Sequence, residues 1–328
     1  MQSRKTSADL WHQKPYYSLD AWCKNTYGRK LYKAALDIGC TCPNRDGTLD
    51  TRGCIFCSAG GSGDFAASRQ LSVTDQLNQA KALLSSKWTP EPGKPSLIAY
   101  FQAYTNTYGD PDRLLSCYEE ALSSPEVAGI SIATRPDCLS DIILEGLDRL
   151  RLLYPDRFIW IELGLQSIHD HTAARIRRGY PTSVFYDAAA KLHARRLPFI
   201  VHLILGLPGE TRLDLLESIR AVNQVHPFGV KLQLLHILKG TDLALFYEAG
   251  KLPVLTQEEY LDLLTSCIAA LSPDICLHRV TGDGPRKLLI APQWSLSKRN
   301  VLNRLHALMK QRNLRQGDNY EPGTSYTL

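Results

Sequence analysis

Short runs of apolar residues alternate along the chain with segments of helical periodicity. Six runs are continuous enough for strands that are buried on both faces, and they cover 31–38, 97–101, 129–133, 158–163, 199–205 and 230–235. Three of the intervening segments show an apolar face at intervals of three or four residues: Leu77, Ala80 and Leu84; Leu139, Ile143, Leu147 and Leu150; and Leu213, Leu216, Ile219 and Val222. This alternation predicts right-handed βαβ units and a parallel sheet. Six units fit an open doubly wound sheet or a partial barrel, and periodicity does not choose between them.

The regular alternation of predicted strands and helices ends at about residue 250. Thr256 and Glu259 form a capping-box pattern at the start of a predicted helix, a short strand is predicted over 275–278, and Ser297 is a candidate cap for a last helix. We therefore expect four regions: an N-terminal extension over 1–30, a barrel over 31–250, a C-terminal extension packing on the barrel over 251–315, and a flexible tail over 316–328.

Composition narrows the class of protein. With 44% hydrophobic and 22% charged residues among 328, the chain has the make-up of a globular protein with ample core. The net charge of +5 allows a polyanionic partner without requiring one. No apolar run approaches the roughly 20 residues that span a bilayer, and the polar start leads into no hydrophobic signal region. We expect a cytoplasmic protein that does not enter membranes.

Four of the nine cysteines lie within residues 40–57, in the loop after the first predicted strand. That end of a parallel strand carries the chemistry in α/β folds. Cys54 and Cys57 are spaced for two thiolates on one metal centre, and the eleven residues between Cys42 and Cys54 are an arc long enough to return to it. An iron–sulfur cluster, a structural zinc with Cys40 as fourth ligand, or a redox pair all remain possible on this spacing.

The other five cysteines have no paired spacing. Each is predicted to be a small core hydrophobe or an inert thiol. They are Cys23, Cys117, Cys138, Cys267 and Cys276.

The cysteine loop resembles that of a known family. Cys42-Pro-Asn-Arg-Asp-Gly, the long gap, and Gly53-Cys-Ile-Phe-Cys57 continued by Ser-Ala-Gly-Gly-Ser-Gly-Asp-Phe65 are similar to the cluster loop of the radical S-adenosylmethionine (SAM) superfamily. The gap resembles the branch containing the Elongator catalytic subunit, and the continuation resembles its YhcC/YtqA-type (MnmL-like) proteins. The resemblance runs from Tyr16 to about Gly317.

The resemblance implies a fold and a cofactor set. The fold is α/β, a partial (β/α)6 parallel barrel of radical SAM type with a helical C-terminal extension. One [4Fe–4S] cluster is held by Cys42, Cys54 and Cys57, and S-adenosyl-L-methionine chelates the fourth iron. One electron, from a reductant such as flavodoxin or ferredoxin, cleaves SAM to methionine and a 5′-deoxyadenosyl radical, which takes a hydrogen atom from the substrate.

The resemblance also implies SAM contacts on, at the ends of, or downstream of the predicted strands, from Gln102, Thr134, Arg135, Glu162, Gln166, Arg178 and His202. Seen alone, several of these residues have a structural interpretation. Residues 134–137 fit a turn and helix cap. Glu162 fits a salt bridge, Arg178 a solvated helix end, and His202 a core histidine.

The substrate is the least constrained part of the interpretation. Basic residues crowd 151–196 and 287–315, which suits a phosphate backbone but also fits solvated helix faces. The YhcC/YtqA-type resemblance implies tRNA, with the wobble uridine converted from 5-carboxymethylaminomethyl to 5-aminomethyl ahead of a separate methyltransferase. Two alternatives stay open: a radical SAM enzyme acting on a peptide or small metabolite, and a non-catalytic zinc protein.

Overall fold

The protein is described by a computed structural model over residues 10–84, 94–282 and 284–322. This part of the chain forms two compact units, each described by itself. The first unit contains residues 29–164 and 183–199, and the second contains residues up to 28, 165–182 and those from 200 onward.

The elements of the described chain follow the predicted alternation. The helices are α1 Leu19–Tyr27, α2 Val73–Leu84, α3 Pro111–Ser123, α4 Asp141–Leu153, α5 Asp170–Arg175, α6 Thr182–Ala194, α7 Arg212–Val225, α8 Asp242–Glu248, α9 Gln257–Ala270 and α10 Lys298–Gln311. The strands are β1 Tyr32–Leu36, β2 Leu97–Phe101, β3 Val127–Thr134, β4 Phe158–Gln166, β5 Phe199–Leu205, β6 Gly229–Leu234, β7 Ile237–Leu238, β8 Cys276–Arg279 and β9 Leu289–Ala291.

The first unit contains four parallel strands in the order β1-β2-β3-β4. Every residue of β2 and of β3 is buried, as expected for strands covered on both faces. Helix α3 begins after Asp110, whose carboxylate accepts from the Arg113 backbone N–H at 2.8 Å, and Pro111 occupies its first turn. The buried strands and the capped helix thus hold β1 in place, and the cysteine loop begins at the end of β1.

The second unit continues the pattern with β5, β6 and β8, paired in parallel in that order. Strands β7 and β9 form a separate antiparallel pair. The predicted capping box of α9 is present, since the Thr256 hydroxyl accepts from the Glu259 backbone and the Glu259 carboxylate accepts from the Thr256 N–H. No helix in the described ranges is both long and apolar enough to cross a membrane.

Several predicted bounds are confirmed, and one predicted helix face is confirmed in part. The strands over 97–101 and 199–205 match residue for residue, while β3 and β4 are longer than predicted. In α7 the predicted face is confirmed at Ile219 and Val222, which are buried, and wrong at Leu213, which is 69% exposed while Leu215 is buried in its place. Leu213 lies in the first turn, directly after the Thr211–Asp214 capping box.

The chain ends of the second unit meet along β8. The Leu277 N–H donates to the Tyr17 carbonyl at 2.7 Å, and Ser18 forms a parallel bridge with Leu277. Gln316, predicted to begin a flexible tail, is 3% exposed. Its side-chain amide donates to the carbonyls of Ser272 and Ile275 at 2.7 and 2.8 Å. The boundary predicted at 316 is therefore too early for this residue; residues 323–328 lie outside the described ranges.

Candidate metal and cofactor site

The loop that follows β1 folds back on itself through backbone hydrogen bonds. The Arg45 N–H donates to the Cys42 carbonyl at 2.7 Å, and the Gly53 N–H donates to the Asn44 carbonyl at 2.7 Å. The Cys57 N–H then donates to the Cys54 carbonyl at 3.0 Å, which closes a tight turn. The arc between Cys42 and Cys54 therefore returns to its start.

The thiols of Cys42, Cys54 and Cys57 lie close enough to influence one another. Burial raises the pKa of Cys54 to about 12, and negative charge on Cys57 and on Cys42 adds to that rise. Burial likewise raises the pKa of Cys57, and charge on Cys42 again contributes. Each pair is thus coupled, so three thiolates here repel one another unless a cation neutralises them. This is the electrostatic setting of a metal centre.

Nitrogen donors surround the same sulfurs. Asn44, which is 2% exposed, donates from Nδ2 to the Cys54 Sγ at 3.5 Å. Arg135 places Nη1 4.0 Å from the Cys42 Sγ. Arg45 donates from Nη2 to the Cys57 carbonyl at 2.8 Å, and its positive charge opposes the effect of burial on the pKa of the Cys57 thiol. Asn44 and Arg45 belong to the sequence motif, but the sequence predicted no role for either residue.

Two other cysteines near the loop have different surroundings. Cys40 is 3% exposed, and its neighbours are Arg113, Asp37 and Cys117; burial raises its pKa to about 11. Cys138 lies near Cys42, and burial together with Asp137 raises its pKa to about 12, which agrees with the inert thiol that the sequence predicts. The structure therefore groups Cys138, rather than Cys40, with the predicted ligands.

The loop also packs against a segment that follows β2. The Tyr104 hydroxyl donates to the Ala59 carbonyl at 2.5 Å, and the Tyr104 N–H donates to the Gly61 carbonyl at 2.8 Å. Gly61 has φ +57°, and a Cβ on it would lie 2.3 Å from Cδ1 of the Tyr104 ring. Only glycine combines this backbone with so close an aromatic ring.

Arg135 and Thr134 end β3 and are held by protein partners. Arg135 forms a fork with Asp137, with Nε and Nη2 donating at 2.9 and 2.7 Å. The Thr134 hydroxyl bonds that of Thr107 at 2.5 Å. The turn predicted for residues 134–137 is therefore present, since Pro136 begins a single 3-10 turn.

The other two predicted SAM contacts of the first unit differ in their surroundings. Glu162 is fully buried and accepts from Lys33 Nζ at 2.8 Å and from the Ser131 hydroxyl at 2.6 Å. It thus has the salt bridge that the alternative interpretation predicted. Gln102 is half-buried directly after β2, and its N–H donates to the Leu36 carbonyl at 3.2 Å.

Arg178 is a buried residue of the second unit that binds several backbone carbonyls. It is 1% exposed, so the solvated helix end proposed as an alternative is wrong. Its Nη1 donates to the carbonyls of Leu165 and Ser167 at 2.9 and 2.7 Å, and its Nε donates to that of Tyr180 at 3.1 Å. Its Nη2 donates to the Thr182 hydroxyl at 2.9 Å. The guanidinium thus clamps the turn between β4 and α5.

The remaining two predicted contacts of the second unit lie at and on strands. Gln166 ends β4 with φ +62° and is half-buried. His202 is half-buried on β5, with Nδ1 3.4 Å from Nε2 of Gln233. Contact of either residue with SAM stays a prediction.

The residues of the first unit fit the group that the motif implies. Three coupled thiols surrounded by nitrogen donors suit an iron–sulfur cluster, which takes thiolate ligands and gains from hydrogen bonds to its sulfurs. The zinc site with Cys40 as its fourth ligand is not favoured, because Cys40 lies against Arg113 instead. Among the described residues, Asn106 Oδ1 is buried without a hydrogen-bond partner, an acceptor in the segment after β2.

Comparison with known proteins gives consistent matches along the chain. The model of the Radical SAM superfamily matches residues 42–222, and that of the Radical_SAM C-terminal domain matches residues 227–311. Uncharacterized protein YtqA of Bacillus subtilis (strain 168) is 40% identical over 305 residues, which cover 93% of this chain and 92% of that protein. Protein YhcC of Escherichia coli (strain K12) is 36% identical over 271 residues, which cover 82% and 84%.

Among solved structures, the archaeal Methanocaldococcus infernus Elp3 with an N-terminal deletion superposes with a TM-score of 0.64 at 16% identity. The match covers 87% of this chain and 64% of that one. At this identity the likeness shows the fold, a parallel α/β partial barrel with C-terminal helices. With a superfamily match over more than half of the chain and relatives at 40% and 36% identity along most of it, this protein belongs to the radical SAM superfamily of enzymes.

Proposed function

We propose that Cys42, Cys54 and Cys57 hold one [4Fe–4S] cluster, that SAM completes its coordination, and that the substrate is the wobble uridine of a tRNA. The observation that carries the proposal is the fold of the loop, whose backbone turns bring the three cysteines together while Asn44 and Arg135 direct N–H groups at their sulfurs. Superfamily membership supports the cofactors, because the family implies both the cluster and SAM.

When bound, the cluster supplies one electron for reductive cleavage of SAM. The chain's own residues then have to orient SAM, shield the site from water and neutralise the charge of the thiolates. Ser58 donates from its hydroxyl to Asp64 at 2.9 Å, and Arg45 binds the Ser58 carbonyl at 2.8 Å, so the C-terminal side of the loop is held rigidly. Half-buried Phe56, between two ligands, limits the access of water to them.

For SAM itself, the buried acceptor Asn106 Oδ1 suits an ammonium group, and it lies after β2 in the same segment as Gln102. Gln102, Gln166 and His202 are proposed contacts of the same kind. Glu162, Arg135 and Arg178 already have protein partners, so we propose that their contribution to SAM binding is through the shape they hold.

The tRNA part of the proposal is supported by the Elongator-like motifs and by charge. In the second unit, the charges of Arg304 and Arg312 are already paired with Glu258 and Asp262, so the proposal relies on other basic residues. Exposed basic residues on or after α10 include Arg299, Lys310 and Arg315. Such side chains can contact phosphates, and a wobble base stands unpaired in its loop, accessible to a pocket without duplex opening.

The test begins with anaerobic reconstitution of the wild type, a Cys42/Cys54/Cys57→Ala triple variant and a Cys40→Ala control. We expect about four irons per chain in the wild type and control and none in the triple variant. SAM and dithionite should then release 5′-deoxyadenosine from the two loaded proteins alone. Zinc in place of iron, with no cleavage of SAM, would refute the cluster assignment.

The substrate is tested separately by nucleoside analysis of tRNA. Incubation of the loaded enzyme with SAM, dithionite and tRNA bearing 5-carboxymethylaminomethyluridine should produce the 5-aminomethyl nucleoside, with the N–C bond to the carboxymethyl group broken and that two-carbon group released. Binding of the tRNA should weaken steeply with salt. SAM cleavage without this conversion and without salt-dependent tRNA binding would favour a peptide or small metabolite as substrate.

A further inference from the structure

The nitrogen donors around the cysteine sulfurs differ in charge. Asn44 is neutral, and its Nδ2 lies 3.5 Å from the Cys54 Sγ. Arg135 is cationic, with Nη1 4.0 Å from the Cys42 Sγ. Arg135 is also paired with Asp137, whose carboxylate lies 2.7 Å from Nη2. The sulfur of Cys42 therefore faces one end of an ion pair whose net charge is zero.

This ion pair is shielded from water. The side chains of Arg135 and Asp137 are 10% and 21% exposed, so solvent screens their charges less than it would on the surface. Arg135 directs Nη1 at the Cys42 sulfur, whereas its Nε and Nη2 are bound to the Asp137 carboxylate. A change in either charge would be felt at the cluster.

Reduction of a cluster adds one electron, so neighbouring positive charge and N–H groups directed at the sulfurs favour the reduced state. Removal of Asp137's charge would make the surroundings of the Cys42 sulfur more positive by one unit and make reduction easier. Removal of Arg135's charge would leave the carboxylate uncompensated and make reduction harder. Loss of the Asn44 amide would remove one hydrogen bond and also make reduction harder.

We infer that the Arg135–Asp137 pair, together with Asn44, sets the reduction potential of the cluster through the sulfurs of Cys42 and Cys54. The inference rests on the proposed function, because it requires a cluster at these cysteines. It identifies tuning residues that bind neither iron nor substrate. Their effect is on how readily the cluster accepts its electron.

The experiment is a potentiometric titration of the reconstituted cluster without SAM, followed by electron paramagnetic resonance. The variants are Asp137→Asn, Arg135→Gln, Asn44→Ala, and the control Asp37→Asn. Asp37 is a matched control because it also pairs with an arginine, Arg69, at 3.0 Å, yet it neighbours Cys40 rather than the ligands. Iron per chain is measured for each protein first.

At a fixed potential, we expect Asp137→Asn to raise the ratio of reduced to oxidised cluster at least tenfold. For one electron that is an upward shift of about 59 mV. Arg135→Gln should lower the ratio by a similar factor and Asn44→Ala by a smaller one, with the control within twofold of wild type.

Shifts of the same sign for the Asp137 and Arg135 variants, or values as close to wild type as the control, would overturn the inference. If Arg135→Gln takes up no iron, the Asp137 variant decides the matter, because asparagine keeps the side-chain shape. A wild type that takes up no iron is a different result, since it refutes the proposed function itself.

Discussion

Replacing Arg178 by lysine is expected to destabilise the fold. The guanidinium is 1% exposed and donates to three backbone carbonyls, those of Leu165, Ser167 and Tyr180, at 2.7 to 3.1 Å. It also donates to the Thr182 hydroxyl. Lysine keeps the positive charge, but it replaces a planar fork of five donors by a compact ammonium with three. That ammonium cannot reach all of these acceptors together.

The magnitude follows from the carbonyls that lose a donor. A buried polar group without a partner costs about 1–3 kcal/mol. If lysine satisfies one of the three carbonyls, two lose their donor, and at about 2 kcal/mol each the free energy of unfolding falls by roughly 4 kcal/mol. With a urea dependence of about 3 kcal/mol per molar, the midpoint of unfolding moves down by about 1.3 M.

The assay is urea unfolding of the apoprotein, followed by the fluorescence of its five tryptophans. Arg175→Lys is the matched control, because Arg175 is exposed on the same segment and donates to the Pro208 carbonyl. The control should stay within about 0.5 kcal/mol of wild type. A loss below about 1 kcal/mol for Arg178→Lys, combined with weaker SAM binding, would refute this reasoning and restore the prediction that Arg178 binds the SAM carboxylate.

Three further outcomes are expected. Gly61→Ala should lower iron uptake and the melting temperature more than Gly47→Ala, since both have positive φ but a new Cβ meets the Tyr104 ring only at Gly61. Gln316→Ala should lower the free energy of unfolding by about 4 kcal/mol, measured by urea titration, because two buried carbonyls lose their donor at about 2 kcal/mol each. Cys54, with its pKa at about 12, should react with iodoacetamide at pH 8 at least about a hundredfold more slowly than an ordinary thiol, and faster as pH rises; peptide mass mapping measures this.

The alternation of strands and helices could be predicted from the sequence because burial on both faces leaves continuous apolar runs. The cysteine spacing likewise indicated the predicted ligands. The surroundings of Arg178 could not be predicted, since they depend on a turn in which Gln166 adopts φ +62° and backbone carbonyls converge. Cys138 shows the same limit, because the fold brings it near Cys42 from just beyond the end of β3, which is far from Cys42 in the sequence.

The bridge between Ser18 and Leu277 has a consequence for self-association. Strand β8 pairs with β6 on one side, and the segment around Tyr17 occupies hydrogen-bonding groups on its other side. An open strand edge is a template for pairing with a second chain. The residues ahead of α1 therefore cover the free edge of β8 and oppose its pairing with a second chain. A version of the protein that starts after Ser18 should associate as its concentration rises, which light scattering would detect, while the full chain stays dispersed.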